Sequence, residues 1–113
     1  MKATKRRDKL HLIYWRSVAS HIALDKGLQK IRFYPVLTPC FHKRGETYLG
    51  TFNPETRTIV FATIPYDKGH TTLGTLTHEI AHALRPGASH DKKFYRLWDK
   101  LRRKYKRFQK SYL

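Results

Sequence analysis

Thr71–Lys93, TTLGTLTHEIAHALRPGASHDKK, is the stretch around which the chain is organised. It contains His78-Glu79-Ile80-Ala81-His82, an H-E-x-x-H, followed by His90. Leu73, Leu76, Ile80 and Leu84 recur at helical spacing and form one apolar stripe. On a helix, residues four apart stack on one side, so His78 and His82 present their imidazoles together. They fall nearly opposite the stripe, so the stripe can be buried while the histidines face a cleft. Thr71 or Thr72 suits the N-cap, and Pro86-Gly87 stops the helix after Arg85. The chain must turn there, and a turn brings His90 back towards the pair.

Two imidazoles at that spacing hold one zinc ion and leave two tetrahedral positions, for a third ligand and a water. His90 is the expected third ligand, with Asp91 the nearby alternative. No glutamate follows His82, which excludes a downstream helical Glu ligand. The spacing H-E-x-x-H-x-x-G-x-x-H does not fit either, because His90 comes too late, and Met1 is the only methionine, so no Met-turn can form. Glu79 lies one residue round from His78 and can reach the water without ligating the metal, as a general base must. The chemistry this predicts is amide hydrolysis, most simply of a peptide: zinc activates a water, and Glu79 carries its proton to the leaving nitrogen. An oxyanion donor is also needed. Tyr95, Tyr66 and His70 are candidates, and the sequence leaves the choice among them open.

The 113 residues are enough for one domain, 1–113, with a single modest core. No apolar run approaches the twenty residues or so of a membrane span. MKATKRRDK at the N-terminus is basic, but an amphipathic segment follows it rather than a signal-peptide core. With one cysteine, Cys40, no internal disulfide forms, which suits an intracellular location, cytoplasmic or nucleoid-associated. Lys and Arg number 24 against eight acidic residues, a net charge of +16 concentrated at the two ends. Such a surface attracts polyanions, nucleic acid first.

The rest of the chain reads as α+β. Residues 5–24 predict a helix with Leu10, Ile13, Tyr14, Val18 and Ile22 on its apolar face, widened by Trp15 and Ala19, and stopped by Asp25-Lys26-Gly27. Residues 30–37 read as a strand that Pro35 either confines to an edge or ends early, and 38–46 read as a loop. Residues 47–52 and 57–63 read as two strands of a hairpin joined by Asn53-Pro54-Glu55-Thr56, with Tyr48, Phe52, Ile59 and Phe61 on one face. Residues 91–110 predict a single closing helix whose apolar face carries Phe94, Leu97, Trp98, Leu101, Tyr105 and Phe108. Its other faces carry Lys92, Lys93, Arg96, Lys100, Arg102, Arg103, Lys104, Lys106, Arg107 and Lys110. So many cations exceed what solubility needs and predict phosphate contact, helped by Lys5, Arg6 and Arg7 at the other end.

The segment HEIAHALRPGASHDKKFYRLW resembles the active-site segment of SprT-like metallopeptidases and the related WLM family. Those families pair H-E-x-x-H with a third histidine beyond a short glycine-containing loop, then an aromatic about four residues on. Phe94 fills that aromatic position, and His90-Asp91 is WLM-like. The resemblance implies a zincin-like protease fold: an N-terminal helix, a small antiparallel sheet with a hairpin, the metal helix and a closing basic helix. It implies one Zn2+ per chain held by His78, His82 and His90, with Glu79 as general base. Spartan-like members are DNA-dependent proteases acting on proteins crosslinked to DNA, so a protein substrate and a nucleic-acid partner, DNA favoured, are expected. The chain would be a minimal catalytic domain. The alternative is a basic nucleic-acid-binding protein whose zinc site is structural or idle. A deformylase-like hydrolase would want a cysteine ligand, and Cys40 is not in a matching context.

Overall fold

Among the described residues, alternation of turn signals and apolar runs is realised as four helices and five short strands. The computed structural model describes residues 6–37, 41–43, 46–63, 71–87 and 89–110, with backbone only at residues 7, 41–43, 46–48 and 110. Helix α1 (Arg6–Asp25) ends where expected. Gly27 takes φ +75, and the Leu28 amide reaches back to the Ala23 carbonyl at 2.8 Å, so the last carbonyls of α1 are satisfied. Strand β1 (Arg32–Val36) follows, then a hairpin of β2 (Phe41–Lys43) and β3 (Glu46–Tyr48). The expected loop over 38–46 is therefore partly a strand pair. Three-residue strands without apolar alternation leave too little pattern to read.

The hairpin expected farther on is present in shortened form as β4 (Gly50–Asn53) and β5 (Thr58–Ala62), paired antiparallel with Phe52 opposite Ile59, while Tyr48, expected on its face, lies in β3 opposite Phe41. Its turn is built by Asn53, whose side-chain oxygen accepts from the Glu55 and Thr56 amides at 2.9 and 3.3 Å. The main sheet has the order β1-β5-β4. It departs from the antiparallel expectation in one pair: β1 and β5 run parallel, Phe33 opposite Ile59 and Pro35 opposite Phe61. Parallel pairing arises because the chain crosses from β1 to the hairpin and returns in the same direction, a long-range choice no local pattern encodes. Pro35 lies on an edge strand, where its missing amide costs nothing to the ladder.

Helix α2 (Thr72–Leu84) packs across β4 and β5, and α1 against β1. The core joins Trp15, Val18 and Ile22 of α1 to Ile59 and Phe61 of β5, Leu76 and Ile80 of α2, and Phe94, Leu101 and Tyr105. Leu10 and Ile13, expected on the buried face of α1, are exposed at 50% and 57%. The helix is rotated so that Trp15 and Ala19 point inward, because the largest apolar side chain gains most from burial. The closing helix is two helices, α3 (Lys92–Lys104) and α4 (Lys106–Lys110), broken at Tyr105. Tyr105 is buried and its hydroxyl donates to Asp25 at the far end of α1. Reaching that acceptor bends the chain out of the straight helix that the apolar spacing predicts.

Candidate metal centre

Helix α2 begins with two side-chain caps. Thr71 Oγ1 accepts from the Gly74 amide at 2.9 Å, and Gln109 Oε1 accepts from the Leu73 amide at 2.8 Å. The Thr72 hydroxyl donates to the Thr63 carbonyl at the end of β5 at 2.6 Å, which ties the helix start to the sheet. The stripe of Leu73, Leu76 and Ile80 is buried, so His78 and His82 are turned to the other side and stand half-buried. After the C-cap at Arg85, Gly87 at φ +76 reverses the chain. His90 is thereby carried back over the helix.

The three imidazoles point at one another. Nε2 of His82 lies 3.2 Å from Nε2 of His78 and 3.0 Å from Nε2 of His90, and one ligand atom from each lies within 4.8 Å of the others. A tetrahedral metal with bonds of about 2.0–2.1 Å to nitrogen separates its ligand nitrogens by roughly 3.3 Å. The observed spacing is close to that edge, so the contacts are better read as lone pairs aimed at a common point than as a hydrogen-bonded chain. Burial, then the neighbouring His82 and His90, push the His78 imidazole down to about 4. Burial and His90 lower His82 as well. Neutral imidazole is the ligating form, so these two rings need lose no proton before binding a cation.

Phe94 is the support beneath the cluster. It is completely buried, with its ring centroid 5.1, 4.7 and 4.8 Å from those of His78, His82 and His90. Trp98 stands edge-on to His78 at 4.7 Å, and its indole N–H donates to the Gly74 carbonyl at 3.0 Å. Asp91, the alternative ligand, is engaged elsewhere: it accepts from the Phe94 amide at 2.9 Å as the N-cap of α3 and pairs with Arg85 at 3.2 Å. That cap, the residue after His90, fixes the start of α3 at Lys92.

Glu79 is 7% exposed, and burial pushes its carboxyl up to about 7. Strand β4 is one wall of its enclosure. A Cβ on Gly50 would meet Glu79 Cγ and Oε2 at 3.1 Å and Thr75 Cγ2 at 3.0 Å, so a larger residue here would push on the side chains of the helix. Gly50 and Trp98 are site neighbours that sequence reading did not single out. Gly50 sat inside a strand pattern, where a glycine can mark a close backbone approach. Trp98 read simply as part of an apolar face.

Of the oxyanion-donor candidates, Tyr95 is half exposed, its ring centroid 6.2 Å from that of His90. Tyr66 and His70 lie outside the described residues, as do Cys40 and Lys5; the side chains of Arg7, His42 and Lys110 also lie outside them. Arg6 and the cations Lys92, Lys93, Arg96, Lys100, Arg102, Arg103, Lys104, Lys106 and Arg107 are all exposed. Among the described residues, Arg102 and Arg103 are tied to Asp99, and Lys104 to Asp25. No helix among the described residues is long and apolar enough to cross a membrane.

No curated protein and no solved structure matches the chain. Residues 64–112 match the family model of the WLM domain, a zinc-metallopeptidase-type domain related to the SprT-like domains, and the three converging histidines lie inside that match.

Proposed function

We propose that the protein is a zinc-dependent metallopeptidase in which His78, His82 and His90 hold one Zn2+ and Glu79 is the general base. The observation that carries this reading is the convergence of three imidazole nitrogens at ligand spacing, with a buried carboxylate on the adjacent residue. A bound zinc ion would supply Lewis acidity, polarising the scissile carbonyl and making an attacking water more acidic. Glu79 does the proton work. Its carboxylate, poised near neutrality, takes a proton from the attacking water and returns it to the leaving amide nitrogen. Strand β4 holds that carboxylate in place through the close approach at Gly50. A hydrogen-bond donor to the developing oxyanion comes from Tyr95, Tyr66 or His70. The zincin-like arrangement of sheet and metal helix belongs to the same reading.

The substrate class proposed is protein bound to nucleic acid, of the kind crosslinked to DNA. The support is electrostatic: the net charge of +16 and the exposed cations of α3 and α4 favour a polyanion beside the active site. The test is made on protein without a histidine tag. Wild type is expected to carry about one zinc, His90→Ala much less, and Glu79→Gln to keep zinc while losing about 10²-fold or more in protein cleavage. Cleavage that survives in Glu79→Gln would remove the assigned mechanism. A second reading, a nucleic-acid-binding protein with an idle zinc site, rests on the same exposed cations. It requires that wild type cleave no protein tested and that Glu79→Gln leave nucleic-acid binding unchanged.

A further inference from the structure

Helix α3 packs against α2 beside the metal cluster, and Trp98 fastens the two together. Its indole N–H donates to the Gly74 carbonyl at 3.0 Å. Gly74 lies four residues before His78, so in the helix ladder the same carbonyl also serves the His78 amide. Side chains on a helix lean towards its N-terminus, so the His78 imidazole lies over the turn that Gly74 opens. The indole is thus anchored alongside that imidazole, with ring centroids 4.7 Å apart and planes at 84°. The Arg102 guanidinium sits over the indole at 4.7 Å and is itself held by Asp99 at 3.1 Å. The indole therefore has an anchor on its N–H and a cover on its ring.

The contact is selective. Phe94 touches all three imidazoles, whereas Trp98, among the described residues, meets only that of His78. His78 stands against two aromatic rings and is steeply inclined to both, at 84° to Trp98 and 72° to Phe94. A metal-binding histidine is usually steered by a hydrogen bond from its second ring nitrogen to a carboxylate, carbonyl or water. Among the described residues, the His78 ring has no hydrogen-bond contact other than with His82. Rotation about Cβ–Cγ, which would exchange Nε2 for Nδ1 at the cluster, must then be resisted by packing. Two rings set across the imidazole resist it, because turning the ring drives its edges into them. We infer that Trp98 is a positioning residue for metal binding, whose contact with His78 keeps Nε2 aimed at the ion in place of the usual hydrogen bond. The inference rests on the zinc reading of the proposed function. It adds why His78 is ready before the ion arrives: the ring is ordered during folding, so binding need not order it.

Two measurements on the full chain test it, neither of which needs turnover. Competition with a chelator gives the zinc dissociation constant, and visible absorption of the cobalt(II)-loaded protein reads the ligand geometry. Trp98→Leu is expected to weaken zinc binding about tenfold or more and to alter the cobalt bands. Trp98→Met fills much of the same space without a ring and should do the same, so it decides the matter if Trp98→Leu does not fold. Trp98→Phe keeps a ring beside His78 and gives up the bond to Gly74, and should lose less than either. Leu97→Ala is the control for a loosened helix, since Leu97 is partly buried on α3 and packs on the core. It should lower the melting temperature and leave zinc affinity and the cobalt bands near wild type. Wild-type affinity and spectrum in a folded Trp98→Leu or Trp98→Met would overturn the inference and leave Trp98 as a filler between helices. Equal loss of affinity in Leu97→Ala would overturn it too, and a loss in Trp98→Phe as large as in Trp98→Leu would remove the ring contact as the cause. A wild type that takes up neither ion would overturn the zinc reading itself and this inference with it.

Discussion

At Gly50, strand β4 runs so close to the helix that carries Glu79 that a methyl would press on the side chains of Thr75 and Glu79. Adding one forces the strand or the carboxylate to move. Gly50→Ala should therefore lose about 1–3 kcal/mol of stability and at least about tenfold in turnover, with zinc content near wild type. Urea unfolding, zinc analysis and kcat on one preparation check this. Unchanged turnover would mean that Glu79 works from a place the methyl does not reach. Phe94 makes a different kind of contribution: it fills the space beneath three imidazoles. Phe94→Ala should cost about 3–5 kcal/mol and weaken zinc binding as well, because the rings lose the surface that orients them. Thermal unfolding and competition with a chelator separate the two effects, and zinc affinity unchanged in a folded variant would show that the rings hold themselves.

Helix α2 depends on its start. Thr71 caps it, and Thr71→Ala should destabilise the protein by about 1 kcal/mol, measured by denaturant midpoint at unchanged m-value. Helix α3 depends on Asp91, whose carboxyl is held below the ordinary value of 3.8 by the hydrogen bond from the Phe94 amide and by Arg85. Asp25 is held below it too, first by the Tyr105 hydroxyl and then by Lys104. Both carboxyls bind protons less readily folded than unfolded. Their contribution to stability is thus complete above the unfolded value and is lost as pH falls through the lower folded values. Chelator-treated protein should lose melting temperature below about pH 4, less steeply in Asp91→Asn than in wild type. Parallel acid curves for the two proteins would show that Asp91 contributes nothing through this cap.

At the scale of the molecule, Tyr105 joins the helix pair to the end of α1 by its bond to Asp25, and Tyr14 of α1 donates to the Phe108 carbonyl at 2.6 Å. The metal centre is built on this frame, so zinc should stabilise the whole fold. Zinc at about 100 times its dissociation constant adds about 2.7 kcal/mol when only the folded state binds. Wild type should show a rise in melting temperature that chelator reverses and that His78→Ala with His82→Ala abolishes. An equal rise in that double variant would put the stabilising zinc elsewhere.

The metal helix was legible in the sequence because its information is local. The stripe of Leu73, Leu76 and Ile80, the cap at Thr71 and the stop at Pro86-Gly87 fix both the helix and the side on which His78 and His82 stand, and each signal acts within a few residues. The hairpin around Asn53 was legible for the same reason. The parallel pairing of β1 with β5, the rotation of α1 that exposes Leu10 and Ile13, the break at Tyr105 and the closeness of Gly50 to Glu79 were not. Each is a contact between residues far apart in the chain, chosen by how whole elements pack. Spacing along one helix can align two imidazoles. Only the folded chain decides where His90 returns, what lies beneath the three rings and what encloses the carboxylate beside them.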